Sequence, residues 1–159
     1  MSKNVELATF GAGCFWSVEA RFRELKGVLE ATSGYMGGQP QPSYKAVCTG
    51  TTGHAEVVQV QFDPEQVGYE TLLALFFNMH NPTTINRQGP DIGDQYRSVV
   101  FFHSAQQQAA VRSAIMDIDQ SGRWPDPVVT VVREALPFWP AEEHHQRYLE
   151  KHGLGSCKI

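Results

Sequence analysis

Ala55-Glu56-Val57-Val58-Gln59-Val60-Gln61-Phe62 alternates along its length. Val58, Val60 and Phe62 fall on one face and Val57, Gln59 and Gln61 on the other, the two-residue period of a half-buried strand. Asp63-Pro64 then turns the chain. On the N-terminal side, Val28 to Tyr35 reads as a further strand, followed by a loop from Met36 to Ser43 that holds Gly37, Gly38, Pro40 and Pro42. Before it, Phe15, Val18, Phe22 and Leu25 recur at helical spacing, so Phe15 to Lys26 is predicted as a helix that Gly27 stops. Val5 to Gly11 is predicted as a short strand.

On the C-terminal side, Tyr69 to Met79 reads as an apolar helix. His80 to Gln95 is irregular, and a loop that long inside a compact domain is usually functional or disordered. Arg97 to His103 reads as a strand, Ala105 to Gln120 as a helix, and Pro127 to Arg133 as a valine-rich strand. A final helix is expected from Ala141 to His152, with Pro140 at its start. Residues 153–159, with Gly153 and Gly155, are expected to be a flexible tail that carries Cys157. Strands interspersed with helices, with no linker composition between them, predict a single α+β domain over residues 1–159: a mixed β-sheet with packed helices.

A chain of 159 residues buries roughly 70% of its unfolded surface, so a sizeable core is available. The net charge of -4, with Lys and Arg scattered, argues against a nucleic-acid surface. No apolar run is long enough to span a bilayer, and no signal peptide is recognisable. The expected location is the cytoplasm, where thiols stay reduced. The three cysteines, Cys14, Cys48 and Cys157, do not make a disulfide framework. Neither a Cys-x-x-Cys pair nor a zinc-like His spacing occurs, so no metal and no cofactor are expected.

Four segments concentrate chemistry. Gly11-Ala12-Gly13-Cys14-Phe15-Trp16 puts a cysteine at a strand-to-helix turn. Free N–H groups and the helix dipole there favour an anion and so the reactive thiolate; a small buried residue in a tight turn fits the same pattern. Phe15 and Trp16 are adjacent on the helix and cannot bury in one direction, so one fits the core and the other a pocket wall; two core aromatics at a crowded helix start fit the same pattern. Gly53-His54-Ala55-Glu56 sets a carboxyl at the start of the alternating strand, beside Val57 and Val58. Apolar surroundings favour its neutral form, which suits a general acid; a solvated acid on a strand edge is the alternative. Asn86 to Asp91, with Gln95-Tyr96-Arg97, gathers hydrogen-bonding side chains in the long loop. Glu142 to Tyr148 mixes charges as an exposed helix face does.

Together these segments resemble the A-type peptide methionine sulfoxide reductases. The resemblance rests on Gly-Cys-Phe-Trp at residues 13–16, Gly34-Tyr35 with Gly37-Gly38, Pro42-Ser43-Tyr44, and Val47-Cys48-Thr49-Gly50. It continues through Thr52 to Glu56, Arg87-Gln88-Gly89 to Asp91, Gln95 to Ser98, and Ala141-Glu142 with His145-Gln146 and Tyr148. It runs over nearly the whole chain, in order. Ser17, Asn81 and Pro90 depart from the residues usual at those places, and none of them carries the implied chemistry.

The resemblance implies a ferredoxin-like core and reduction of the S epimer of methionine sulfoxide, free or in proteins. It implies Cys14 as nucleophile and Glu56 as proton donor, with Tyr44 and Tyr96 as phenolic donors to the sulfoxide oxygen. Phe15 and Trp16 would hold the substrate methyl, Asp91 the substrate backbone N–H, and His145 would also line the site. Cys157 would resolve the Cys14 sulfenic acid to a disulfide that thioredoxin reduces. A monomer without nucleic-acid or membrane partners is expected. Two other readings of the residues stay open at this point: a different cysteine enzyme, such as a thiol peroxidase or cysteine hydrolase, and a binding module in which Cys14 is buried.

Overall fold

The alternating stretch forms a strand, β3 (Ala55–Phe62), that is hydrogen-bonded along both edges. The computed structural model describes residues 5–13, 15–37, 55–84, 87–88, 91–92, 96–136 and 138–141, with backbone alone at 15–17, 87–88 and 91–92. On one side of β3 lies β1 (Glu6–Ala12), antiparallel, with Ala8 opposite Val60 and Phe10 opposite Val58. On the other lies β2 (Val28–Met36), antiparallel, with Ala31 opposite Val60 and Tyr35 opposite Glu56.

Helix α1 (Phe15–Arg23) connects β1 to β2, and α2 (Tyr69–Asn78) connects β3 toward β6 (Ser98–Phe102). Between α2 and β6, two-residue strands β4 (Arg87–Gln88) and β5 (Asp91–Ile92) pair as a small hairpin inside the segment read as irregular. Strand β6 pairs antiparallel with the free edge of β1. The order β6-β1-β3-β2 with two crossover helices is the split βαβ, ferredoxin-like arrangement. Two strands extend it: β7 (Val131–Glu134), parallel to β6, and β8 (Trp139–Pro140), antiparallel to β2. Helix α3 (Ala105–Ser121) joins β6 to β7. Ser104 caps it by accepting from the Gln107 N–H at 3.2 Å, and Gly122 closes it at φ 73°.

The core follows from the alternation. Phe10 of β1 stacks on Phe22 of α1 at 5.1 Å and on Phe76 of α2 at 5.2 Å, with Tyr69 at 5.9 Å. Ala8, Val58, Val60, Phe62, Val18, Leu72 and Leu73 complete this layer. The opposite sheet face, which the half-buried pattern left to solvent, is covered in part. Val57, with Met36, Ala55, Val99 and Phe101, is fully buried under Ala135 and Phe138. Gly34 makes room for that cover: a Cβ there would lie 2.6 Å from the Phe138 ring and 2.5 Å from the Trp139 carbonyl.

Two predicted boundaries shift by more than one residue. Helix α1 stops at Arg23 instead of Lys26, because the Leu25 N–H bonds back to Phe22 and the chain reverses through Gly27 at φ 98°. The valine-rich strand starts at Val131 instead of Pro127. The Val128 N–H donates to Asp119 and the Val129 N–H to the Pro82 carbonyl, so neither joins a ladder. Pro140 itself lies in a strand. It ends β8 opposite Gly34, and the Ala141 N–H continues the pairing onto Ser33. A proline is tolerated there because β8 is an edge strand. The rest of the predicted final helix and the tail lie outside the described residues.

His80, just beyond α2, is 5% exposed, and its Nδ1 lies 2.6 Å from the Phe76 carbonyl. Burial pushes its imidazole down to about 4, against a smaller opposing effect of that hydrogen bond. On acidification the unfolded chain therefore binds a proton at this residue before the folded chain does. Its contribution is complete above about pH 6.5 and is lost as pH falls from there toward about 4. Between pH 7 and pH 5 urea unfolding should lose about 2 kcal/mol through this residue. The pH slope should flatten in His80→Gln, and an unchanged slope in that variant would contradict the assignment.

Candidate active site

The end of β1 is where the sequence concentrates its chemistry. Ala12, its last residue, pairs with Ser98 at the start of β6. At Gly11 a side chain would lie 2.7 Å from the Val99 side chain and 3.0 Å from the Glu56 carbonyl, so this strand end admits only glycine without displacement. Gly13 then takes φ 94°, a left-handed turn costly to other residues. Helix α1 begins at Phe15, the residue after Cys14 in the chain.

Glu56 stands in β3 opposite Tyr35, 1% exposed in a strand bonded on both edges. The reading of it as a solvated edge acid is thereby excluded. Tyr35 beside it is fully buried. Tyr96, partly buried, precedes Ser98 by two residues, so it comes off β6 next to the strand that ends before Cys14. Asp91 supplies backbone to β5 opposite Gln88. Phe15 and Trp16 supply backbone to the first turn of α1. Cys14, Tyr44, Cys48, His145 and Cys157, and the side chains of Phe15, Trp16 and Asp91, lie outside the described residues. Among the described residues no three His, Cys, Asp or Glu side chains gather as metal ligands. No described helix is long and apolar enough to cross a membrane.

Two buried polar groups around this strand end escaped the sequence reading. Glu19 of α1 is 1% exposed and accepts from Ser33 of β2 twice, from its N–H at 3.2 Å and its hydroxyl at 2.5 Å. Its other oxygen faces Arg23 Nε at 3.5 Å, and Arg23 also pairs with Glu30. The signal was present: Glu19 falls inside the Phe15, Val18, Phe22 stripe, where an acid has to find donors. The second is His80, whose Nε2 lies 2.7 Å from the Ser98 hydroxyl. Its partner is distant in sequence, and no local pattern announces it.

A groove of about 440 Å³ lies elsewhere, between α2 and α3, lined by Leu73, Phe77, Ala114 and Ile118 with Glu70 and Arg123 among its polar residues. It includes none of the residues singled out for chemistry.

Residues 6–159 match the family described as peptide methionine sulfoxide reductase. A peptide methionine sulfoxide reductase MsrA of Methanoculleus marisnigri is 55% identical over 157 residues, covering 98% of this chain and 96% of that protein. Among solved structures, Mxr1 from Saccharomyces cerevisiae in reduced form superposes with a TM-score of 0.89 at 36% identity, covering 97% of this chain and 89% of that one. Mxr1 in complex with Trx2 shares the fold, with a TM-score of 0.64 at 22% identity over 93% of this chain and 89% of that one.

The Glu19 anchor makes a direct prediction. Glu19→Ala removes the buried acceptor shared by the Ser33 hydroxyl and N–H and the carboxylate that faces Arg23 Nε, and should cost about 3 kcal/mol in urea unfolding. A loss within about 0.5 kcal/mol, the range of ordinary surface substitutions, would mean that this carboxylate does not hold α1 on β2.

Proposed function

The chain belongs to the peptide methionine sulfoxide reductase family, in its A type, and from that membership we propose that Cys14 attacks the sulfoxide sulfur of the S epimer with Glu56 as proton donor. The enzyme is an oxidoreductase that reduces methionine sulfoxide to methionine. The observation that carries the finer reading is Glu56: a carboxyl 1% exposed in a central strand, beside the strand that runs out into Gly13, Cys14 and α1. An acid held out of water on a rigid strand is preorganised to donate a proton to charge that develops next to it.

The chemistry balances in three steps. The Cys14 thiolate bonds to the substrate sulfur, and Glu56 protonates the sulfoxide oxygen while the Tyr44 and Tyr96 phenols donate to it. Oxygen passes to Cys14 as a sulfenic acid and methionine leaves, its sulfur reduced by two electrons. The Cys157 thiol then displaces that oxygen as water and forms a disulfide, which the dithiol of thioredoxin reduces by exchange. The yeast Mxr1 complex with Trx2 supports this choice of reductant. Phe15 and Trp16 hold the methyl group, Asp91 accepts the substrate N–H, and His145 lines the rim. A pocket that fixes methyl and oxygen presents only one epimer's sulfur to Cys14 with its chain toward solvent. We assign the protein to the cytoplasm, as a monomer that acts on free and protein-bound substrate.

Single-turnover assays on each dabsyl-methionine sulfoxide epimer test this reading. Wild type should convert the S epimer alone, and Cys14→Ser neither. Glu56→Gln should fold normally and slow the step by about 10²–10⁴-fold. Equal rates on both epimers, turnover by Cys14→Ser, or a wild-type rate in Glu56→Gln would each overturn the corresponding assignment.

The resolving step has its own test. Cys157→Ser should release one methionine per enzyme and then stall with thioredoxin, whereas Cys48→Ala should keep turning over. A Cys14–Cys48 bridge in peptides mapped from the oxidised wild type would reverse the two roles.

A further inference from the structure

We propose that His80 is a positioning residue for the reaction: it clasps the base of the 81–97 loop to Ser98 and so sets where Tyr96 and the Asp91 hairpin stand relative to the end of β1. The inference rests on the reading above, in which Tyr96 and Asp91 meet the substrate.

The clasp is a directional chain of four groups. The Phe76 carbonyl only accepts, so the proton it faces at 2.6 Å is on His80 Nδ1. In the neutral ring Nε2 then accepts, and the Ser98 hydroxyl at 2.7 Å donates to it. With its proton so committed, Ser98 Oγ accepts from the Thr130 hydroxyl at 2.7 Å. His80 is held in this tautomer by its surroundings. It is 5% exposed, with the Phe76 ring centroid at 4.5 Å and that of Phe77 at 6.3 Å. The burial that pushes its imidazole down to about 4 keeps the ring neutral, as the chain requires, at neutral pH.

The two middle members of this chain border the loop. His80 immediately precedes Asn81, and Ser98, 2% exposed, immediately follows Arg97. The same Ser98 pairs by its backbone with Ala12. Ser98 therefore bonds through its hydroxyl to His80 and through its backbone pairs with the strand that leads into Cys14. The entry is tied too: the Pro82 carbonyl accepts from the Val129 N–H at 2.8 Å, and Asn81 Oδ1 accepts from the Thr83 N–H at 2.9 Å and its hydroxyl at 2.6 Å. A well-packed apolar pair would close the same core without the desolvation of three polar side chains. What such a pair lacks is direction, and a misplacement of about 1 Å at reacting groups costs on the order of 10²-fold in rate.

His80→Asn separates the two bonds. Its amide nitrogen replaces Nδ1 toward Phe76, but no atom replaces Nε2 toward Ser98. His80→Gln reaches the Nε2 position and can accept from Ser98 again. In His80→Asn, kcat/KM on a peptide containing methionine sulfoxide should fall about 10- to 100-fold, and His80→Gln should recover most of it. The rate at which iodoacetamide alkylates Cys14 should stay within twofold of wild type in both. Amide hydrogen exchange should accelerate at 96–98 in His80→Asn while residues of α3 keep their protection. Wild-type kcat/KM with unchanged exchange in His80→Asn would overturn the proposal. So would parallel loss of turnover and alkylation in both variants, which marks a general scaffold. If the wild type itself failed to reduce either epimer, the functional reading would fall, and the exchange arm would still decide whether the clasp holds the loop.

Discussion

The arrangement at the candidate site depends on β1 being hydrogen-bonded along both of its edges. A strand paired by β3 on one side and β6 on the other cannot shift in register without moving every apolar side chain to the wrong face. Phe10 adds a lock, since it stacks on rings from both α1 and α2. The end of the strand is consequently a fixed point. Within its last two residues Gly11 leaves no room for a side chain without displacement, and beyond it the chain turns through a positive φ at Gly13 toward the helix that follows Cys14.

Around that point, apolar burial and polar anchoring do different work. The Phe10, Phe22, Phe76 and Leu72 layer buries apolar surface, which favours folding, but apolar contacts are non-directional. Glu19 on α1 and His80 after α2 supply direction. Each is almost fully buried, and each bonds to a residue on a strand of the sheet, Ser33 of β2 or Ser98 of β6. They fasten the two crossover helices to the two strands that flank the β1–β3 pair. Buried polar groups are costly unless satisfied, so bonds of this kind favour one arrangement among many of similar apolar burial.

The inner sheet was legible because its information is local. The Ala55–Phe62 alternation, the apolar stripe of α1 and the Gly11 to Gly13 turn each announce their element within a few residues, and the elements appear where those patterns lie. The edges were less legible. Strand β8 is two residues long and exists because Trp139 and Pro140 meet Tyr35 and Gly34. The valines at 128 and 129 favour a strand by propensity, yet their N–H groups are taken by Asp119 and Pro82. Tertiary partners override propensity wherever they offer the backbone a different hydrogen bond.

By itself, the sequence determined the α+β class, the position of Cys14 at a strand-to-helix turn, and the set of motifs that places the chain in its family, because periodicity, glycine and motif spacing are properties of contiguous residues. Only the tertiary structure decided that Glu56 is an interior acid and not an edge one, that Val57 is covered by Phe138, and that Glu19 and His80 fasten helices to strands. The physical reason is common to all of these: burial and hydrogen bonding depend on groups that the chain brings together from far apart; the α1 stripe marks Glu19 as an inward position, but neither its partner Ser33 nor the Ser98 partner of His80 leaves a period to read.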